Sequence, residues 1–411
     1  MDRRKDCGFW VWGDGHTHSY WSDGLQSIKE IVRYLREFEE DFHIQTDHMM
    51  ISMPEGKYMS KWLTPDTYAE YARECLEAST SDHIVIPGVE FGLTSGSPDL
   101  DLQHGYFHIL LYDPKAEVLP PNGWYVAKSF DQIVREMRER GLTVVVAHTD
   151  GHVWEASPSL EFDGFEIRYD IEERIPPLER SAFKCGHWDR MLMAGQRIPI
   201  SCGSDCHQTD LWAASAMRNV VLVEDFSAHN ILESLRRGRS YLSATWHPDI
   251  YLELGYKGIN PEKSGGFTPW WEKEYGNMSR EKARPKLEQI VSRMLRDDYG
   301  RVKRKDYPTL DFTVEGANVG DTVNLPATRK VELNVDVEMH VPITFIELIE
   351  GGKVVKRVSP QTNTYTATYS FEIPGNHDTY FRLQAQGSDE NGRTEWLISN
   401  PIYISAKRSE K

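Results

Sequence analysis

Phe9-Trp10-Val11-Trp12-Gly13-Asp14-Gly15-His16-Thr17-His18 is the stretch that decides how the chain is read. It opens on a short apolar run and closes on two histidines one residue apart. On an extended segment alternate side chains point the same way, so His16 and His18 share a face and can hold one ion. In parallel α/β barrels the active site lies at the C-terminal strand ends, because the loops there converge on one mouth.

Working outward, most of the other strand-like segments carry ligand chemistry too. Asp23 lies a little beyond His18. Asp47 and His48 follow Phe42–Thr46. Glu90 closes Ile84–Val89, and His108 lies at Phe107–Tyr112. His148 closes Leu142–Ala147, the most apolar segment of the chain, and Asp205 and His207 follow Ile198–Cys202. Gly164–Ile167 has no obvious ligand. Helical spacing separates these segments: Ile28, Ile31, Val32, Leu35 and Phe38; then Pro65–Glu77; then Phe130, Ile133, Val134 and Met137; then Ala182–Ala194 and Ser227–Arg237. Such alternation predicts parallel strands with helical crossovers, and seven strands is near the count of a closed barrel.

The texture changes further on. Lys257–Lys305 is rich in charge, Gly and Trp, with one expected helix over Pro285–Asp297. From Leu310 the period switches to two, as in Val331, Leu333, Val335 and Val337. Gly351-Gly352 and Asn391-Gly392 sit where hairpin turns belong. The division expected is a barrel over 1–254, a charged helical linker or insert over 255–305, and an antiparallel β-sandwich-like domain over 306–411.

The chain has 411 residues and a formal net charge of −16, with 63 Asp plus Glu against 47 Lys plus Arg. That balance argues against gripping a nucleic-acid backbone, which needs basic surface. A small-molecule substrate is the expected partner, and the oligomeric state is left open. No run of about 18 apolar residues predicts a membrane span. The charged N-terminus and five scattered cysteines point to reduced thiols and a cytoplasmic location.

Imidazole and carboxylate together suit Zn, Mn or Fe as divalent ions, and no thiolate cluster points to a structural zinc site. The motifs Gly13-Asp14-Gly15-His16-Thr17-His18, Ser22-Asp23-Gly24, Thr46-Asp47-His48, Gly88-Val89-Glu90, His108-Ile109-Leu110, Ala147-His148 and Gly203-Ser204-Asp205-Cys206-His207 occur in order. In these the chain resembles the PHP (polymerase and histidinol phosphatase) family of metal-dependent hydrolases over about residues 7–245. Gly238-Arg239-Ser240-Tyr241 and the tail closing on Trp396 and Asn400-Pro401-Ile402 resemble the CehA/McbA-like branch.

The resemblance implies an α/β fold, a distorted (β/α)7 barrel, holding two or three divalent metal ions. It implies a first metal on His16, His18, Glu90 and Asp205. A second would lie on Glu90, His108 and His148, with Glu90 bridging, and a third on Asp23, His48 and His207. The function expected is hydrolysis by a metal-bridging hydroxide, first of a small phosphoester. The alternative is a carboxylic ester, carbamate or amide, and a non-catalytic metal-containing binding protein ranks last. Asp205 is the candidate to accept the nucleophile's proton, with His207 or His152 to protonate the leaving group. Arg168 and Arg218 are the candidate substrate-binding cations; the competing role for Arg168 is an ion pair with Asp170 or Glu172. His43, His83, His187, His229, His340 and His377 are left to surface or packing roles. Pro269-Trp270-Trp271 reads as interdomain packing, with a lid as the other reading.

Overall fold

The computed structural model describes residues 3–4, 8–22, 24, 26–49, 63–93, 107–121, 128, 130–147, 161–168, 188–206, 217–246, 304–326, 329–373 and 378–407. The expected helix 285–297 and the Trp270-Trp271 stretch lie outside them.

The first part of the chain folds around a mixed sheet. β1 (Arg3–Arg4) is a short edge beside β2 (Gly8–Thr17). Then come β3 (Phe42–Gln45), β4 (His48–Met49), β5 (Ile84–Leu93), β6 (Phe107–Tyr112), β7 (Thr143–Val146), β8 (Gly164–Arg168) and β9 (Ile200–Gly203). β10 (Met217–Val223) and β11 (Ser240–Trp246) follow.

Among the described residues, four helices of ten or more residues pack against it. α1 (Ile28–Glu37) starts on a capping box, in which Ser27 accepts from the Glu30 backbone and the Glu30 side chain returns the bond. α2 (Pro65–Ala78) starts on Thr64 with proline in its first turn. α3 spans Phe130–Glu139. α4 (Ala228–Arg237) is capped by Ser227 and ends at Gly238, whose φ of 71° is left-handed and suits glycine. Residues 188–193 form a further helical turn inside the expected 182–194.

Direction along the sheet corrects the all-parallel expectation. β2, β3 and β5 are parallel, as are β7, β8 and β9. β6 runs against both β5 and β7, and β10 runs against β2. An antiparallel neighbour returns from the end where its partner stopped, whereas a parallel one needs a crossover. This reversal is what brings His108, near the start of its strand, to the end of β5: Gly92 faces His108 and Glu90 faces Leu110 in the register.

Among the described residues no ladder closes the sheet into a complete barrel. The ends of β2 and β9 are joined by two backbone bonds, Asp205 N to His16 O at 2.9 Å and His18 N to Cys206 O at 2.8 Å.

The tail has β12 (Thr309–Val314), β13 (Thr322–Pro326), β14 (Arg329–Glu338), β15 (Ile343–Glu350), β16 (Lys353–Val358), β17 (Thr364–Ile373), β18 (Thr379–Ser388), β19 (Thr394–Ser399) and β20 (Ile402–Lys407). β12, β14 and β17 form a separate antiparallel sheet. The apolar faces of β12 and β14 (Leu310, Phe312, Val314, Val331, Leu333, Val335 and Val337) pack onto Ile346, Leu348, Phe381 and Leu383 of the opposing sheet. The hairpin turns fall at Gly351-Gly352, both with positive φ, and at Asn391-Gly392.

The second sheet is not confined to the tail. β19 pairs with β11 from Tyr241–Ser399 to Trp246–Thr394, so the large sheet continues into the C-terminal part. Tyr380, Trp396 and Ile398 are buried in the core of the first region. Asn400 completes the join. Its Oδ1 accepts from Ile200 N (2.8 Å), while its Nδ2 donates to Ile200 O, Ser240 O and Ser240 Oγ.

Candidate metal centre

β2 delivers His16 and His18 from one face of its last turn of chain, as the alternation of a strand requires. β5 delivers Glu90, directly opposite His48 of β4 in the parallel register. The end of β9 delivers Asp205, a non-glycine residue held at a φ of 53°. The cost of that backbone is met by the bonds joining the ends of β2 and β9.

These four side chains converge. His16 Nε2 and His18 Nε2 lie 3.0 Å apart. Glu90 Oε2 is 3.4 Å from the first and 3.3 Å from the second. Asp205 Oδ1 is 3.4 Å from the first and 3.0 Å from the second. All four donor atoms lie within 4.8 Å of one another, and all four residues are buried. Ligands at 2.0–2.1 Å around a tetrahedral zinc stand about 3.3 Å apart. The spacing of the donors therefore fits one ion at their centre, and the mixed imidazole and carboxylate set suits Zn, Mn or Fe.

Electrostatics agree with the spacing. Burial by itself depresses the His16 imidazole, but Glu166, Glu90 and Asp205 outweigh it and raise its pKa well above the usual value. Burial by itself raises the Glu90 carboxyl, yet His108, His48 and His16 hold it well below the usual carboxylate range. A pocket that pulls a proton onto an imidazole and keeps its carboxylate charged is one that stabilises positive charge. A divalent ion answers the same demand, and its binding would release protons.

Glu90 also reaches beyond this group. Its Oε1 lies 2.6 Å from His108 Nδ1, and its Oε2 lies 2.9 Å from His48 Nδ1. The rings of His18 and His48 are 4.3 Å apart, and those of His48 and His108 are 5.7 Å apart. Six of the nine expected ligands thus come together, with His16, His18, His48, His108 and Asp205 gathered around Glu90. The other three, Asp23, His148 and His207, lie outside the described residues. So does His152, and Arg168 is described only in its backbone at the end of β8.

Arg218 is a correction. It is 1% exposed, and its Nη2 lies 2.7 Å from Glu40 Oε1. Its guanidinium also lies over the Tyr307 ring, 5.5 Å from the centroid. A cation enclosed in this way holds the fold and is not offered to a substrate. Parity along β10 explains the placement. The neighbouring Asn219 turns to the other face, where its amide bonds Cys202 N and O.

Three carboxylates in the region were not picked out by the sequence reading as supports. Asp47 accepts from Ser19 N, Ser19 Oγ, Ser22 Oγ and Gln45 Nε2 at 2.7–2.8 Å, so it anchors the loop after His18. Asp14 Oδ1 accepts from His16 N (2.9 Å) and Ser204 N (3.0 Å), which ties the two ligand-bearing strand ends together. Glu166, inside β8, accepts from His16 Nδ1. The signal for Glu166 was present in the sequence: a lone carboxylate between the apolar Phe165 and Ile167. Cys202 and Cys206, flanking Asp205, are buried thiols outside any disulfide. Cys7 and Cys185 lie outside the described residues.

Compared with family models and with curated proteins, the sequence matches none. Among solved structures, it is similar to a two-domain protein from Bacteroides vulgatus, described as containing a predicted PHP-like metal-dependent phosphoesterase. The identity is 12%, the coverage 97% of this chain and 99% of that one, and the TM-score 0.38. It is also similar to an amidohydrolase from Chromobacterium violaceum at 16% identity, covering 47% of this chain and 87% of that one, with a TM-score of 0.30. Likenesses at this level carry no argument about chemistry. The resemblance to the PHP family rests on the motif residues, and the candidate metal centre on the distances above.

Proposed function

We propose that the protein is a metal-dependent hydrolase of the PHP type, acting on a small phosphoester through two or three divalent ions. One observation carries the reading: four buried donors from three separate strands stand at the spacing of a metal's ligand shell. His16, His18, Glu90 and Asp205 are assigned to the first ion. Glu90, through its second oxygen, and His108 are assigned to the next, together with His148. When bound, such ions supply Lewis acidity to the scissile group and lower the pKa of water.

The chain's own residues do the rest. Burial of the four donors excludes bulk water and strengthens their pull on charge. Asp205 presents Oδ1 to the histidines, and its carboxylate is assigned the proton of the attacking water. His207 or His152 is assigned the proton delivered to the leaving group, and Arg168 the negative charge of the substrate.

The enclosure of Arg218 favours a second reading. Removing one of the two candidate cations weakens the case for a phosphate and leaves a mouth suited to a carboxylic ester, carbamate or amide. A panel of aryl phosphates, phosphodiesters, aryl acetates and aryl carbamates separates the two. Metal analysis and turnover of His16→Ala and Glu90→Gln test the hydrolase itself. Both variants should lose metal and activity together; full metal content with unchanged turnover in both would sink the proposal.

A further inference from the structure

We infer that Glu166 is a positioning residue for the first metal, fixing His16 so that Nε2 is the nitrogen offered to the ion. The inference rests on the reading of the four-donor cluster as a metal site. His16 Nδ1 lies 3.2 Å from Glu166 Oε1 and 3.1 Å from Oε2, and both residues are fully buried. A carboxylate can only accept, so Nδ1 must carry the hydrogen. In the neutral ring, the form that binds a metal, the lone pair then sits on Nε2, the atom that faces His18, Glu90 and Asp205. A carboxylate behind a ligating imidazole sets its tautomer, fixes its ring and raises its basicity.

The surroundings are built for this contact. A Cβ at Gly203 would stand 2.2 Å from His16 Cβ and 2.4 Å from Glu166 Oε1, so only glycine lets the two side chains meet there. Asp14 Oδ1 accepts from the His16 backbone N at 2.9 Å. Main chain and imidazole are thus fixed by two different carboxylates. A carboxylate buried on an apolar strand is costly unless it is hydrogen-bonded, and His16 answers that need.

The test uses the full chain, Zn2+ titrated against a competing chelator, and the visible spectrum of the Co2+-substituted protein. Glu166→Ala should bind Zn2+ about 10–100-fold more weakly than the parent chain. Its Co2+ spectrum should change, because His16 no longer meets the ion at a fixed angle. Glu166→Gln keeps an acceptor for Nδ1–H, so it should keep the parent Co2+ spectrum and recover most of the affinity.

A purely structural Glu166 predicts otherwise: lower urea resistance in both variants, with Zn2+ affinity of the folded chains unchanged. Parent-like affinity in Glu166→Ala overturns the inference, and so does a Glu166→Gln variant as weak as Glu166→Ala. If the alanine variant does not fold, the glutamine variant decides alone. An altered Co2+ spectrum there overturns the assignment. A parent chain that binds Zn2+ but hydrolyses no panel member would fail the hydrolase reading and leave this one standing.

Discussion

Asn400→Ala is the sharpest test of how the two halves of the molecule are joined. The Asn400 amide is fully buried and behaves like a one-residue strand inserted between β9 and β11. Its loss leaves Ile200 N and Ile200 O, both satisfied by the amide, without those bonds. Ser240 O keeps its bond from Asn400 N at 3.2 Å. A buried donor or acceptor left unsatisfied costs roughly 1–3 kcal/mol. Two such groups, less what relaxation recovers, give a loss of about 2–4 kcal/mol. Urea unfolding of the metal-free chain measures it. Asn334→Ala serves as control, because the Asn334 side chain bonds Thr368 Oγ1 on the exposed face of the tail and should cost less than about 0.5 kcal/mol. β9 also carries Cys202 and leads to Cys206, so both thiols should react faster with an aromatic disulfide in the variant, while Cys75 on α2 should not. A loss below about 1 kcal/mol, with thiol rates unchanged, would refute the reasoning that Asn400 holds β9 in place.

Other perturbations have equally definite outcomes. Arg218→Met should cost about 3–5 kcal/mol, because it strands Glu40 in the interior. Adding Glu40→Gln should recover much of that, and the folded variant should keep the parent KM; a raised KM with stability intact would return Arg218 to the mouth. The chain cut after residue 305 should be insoluble, since Tyr380, Trp396 and Ile398 fill the core of the first region; a soluble, cooperatively folding fragment would show the tail to be dispensable. His43 and His83 form a buried pair, with His43 Nδ1 and His83 Nε2 2.8 Å apart. Burial, with the adjacent His83, holds the His43 pKa well down, and burial lowers His83 to about 4. Below pH ~6.5 the unfolded chain binds protons that the native pair refuses, so acidification favours unfolding until His83 itself titrates near pH 4. Each histidine should remove roughly 1 kcal/mol per pH unit in that window. The acid limb of urea stability should therefore be steeper in the parent than in His43→Asn/His83→Gln, and parallel limbs would contradict the assignment.

Much of the fold was legible because the cues are local. Proline in the first turn of α2, the glycine after Arg237, and Gly351-Gly352 and Asn391-Gly392 at the hairpins are short-range signals, and each element begins or ends there. Strand direction is not local. Phe107–Tyr112 is as apolar as a parallel strand would be, and nothing in its composition records that it runs against both neighbours. The join between the halves was hidden for the same reason. Trp396 and Asn400 act on residues 150 or more positions away.

The candidate site shows the same divide in sharper form. A mixed imidazole and carboxylate donor set draws on few residue types in a recognisable order, so Glu90 and the five residues that meet around it could be read from their types and positions. Their supports are chosen by geometry alone. Glu166 and Arg218 are both charged residues on largely apolar strands, and a sequence offers no way to tell which one backs a member of the donor cluster. The structure separates them by parity and by neighbours. Glu166 lies on the face where Gly203 leaves room for His16, whereas Arg218 lies opposite the face of Asn219, against Glu40 and Tyr307. Asp47 makes a related point from within a motif. It stands beside His48, yet its four accepted hydrogen bonds are spent on the loop after His18. A motif residue can therefore serve the metal centre by holding the chain that carries the ligands. Asp14 and Glu166 do so from within β2 and β8, and Asp47 from between β3 and β4, so the rigidity of the donor cluster depends on carboxylates outside it.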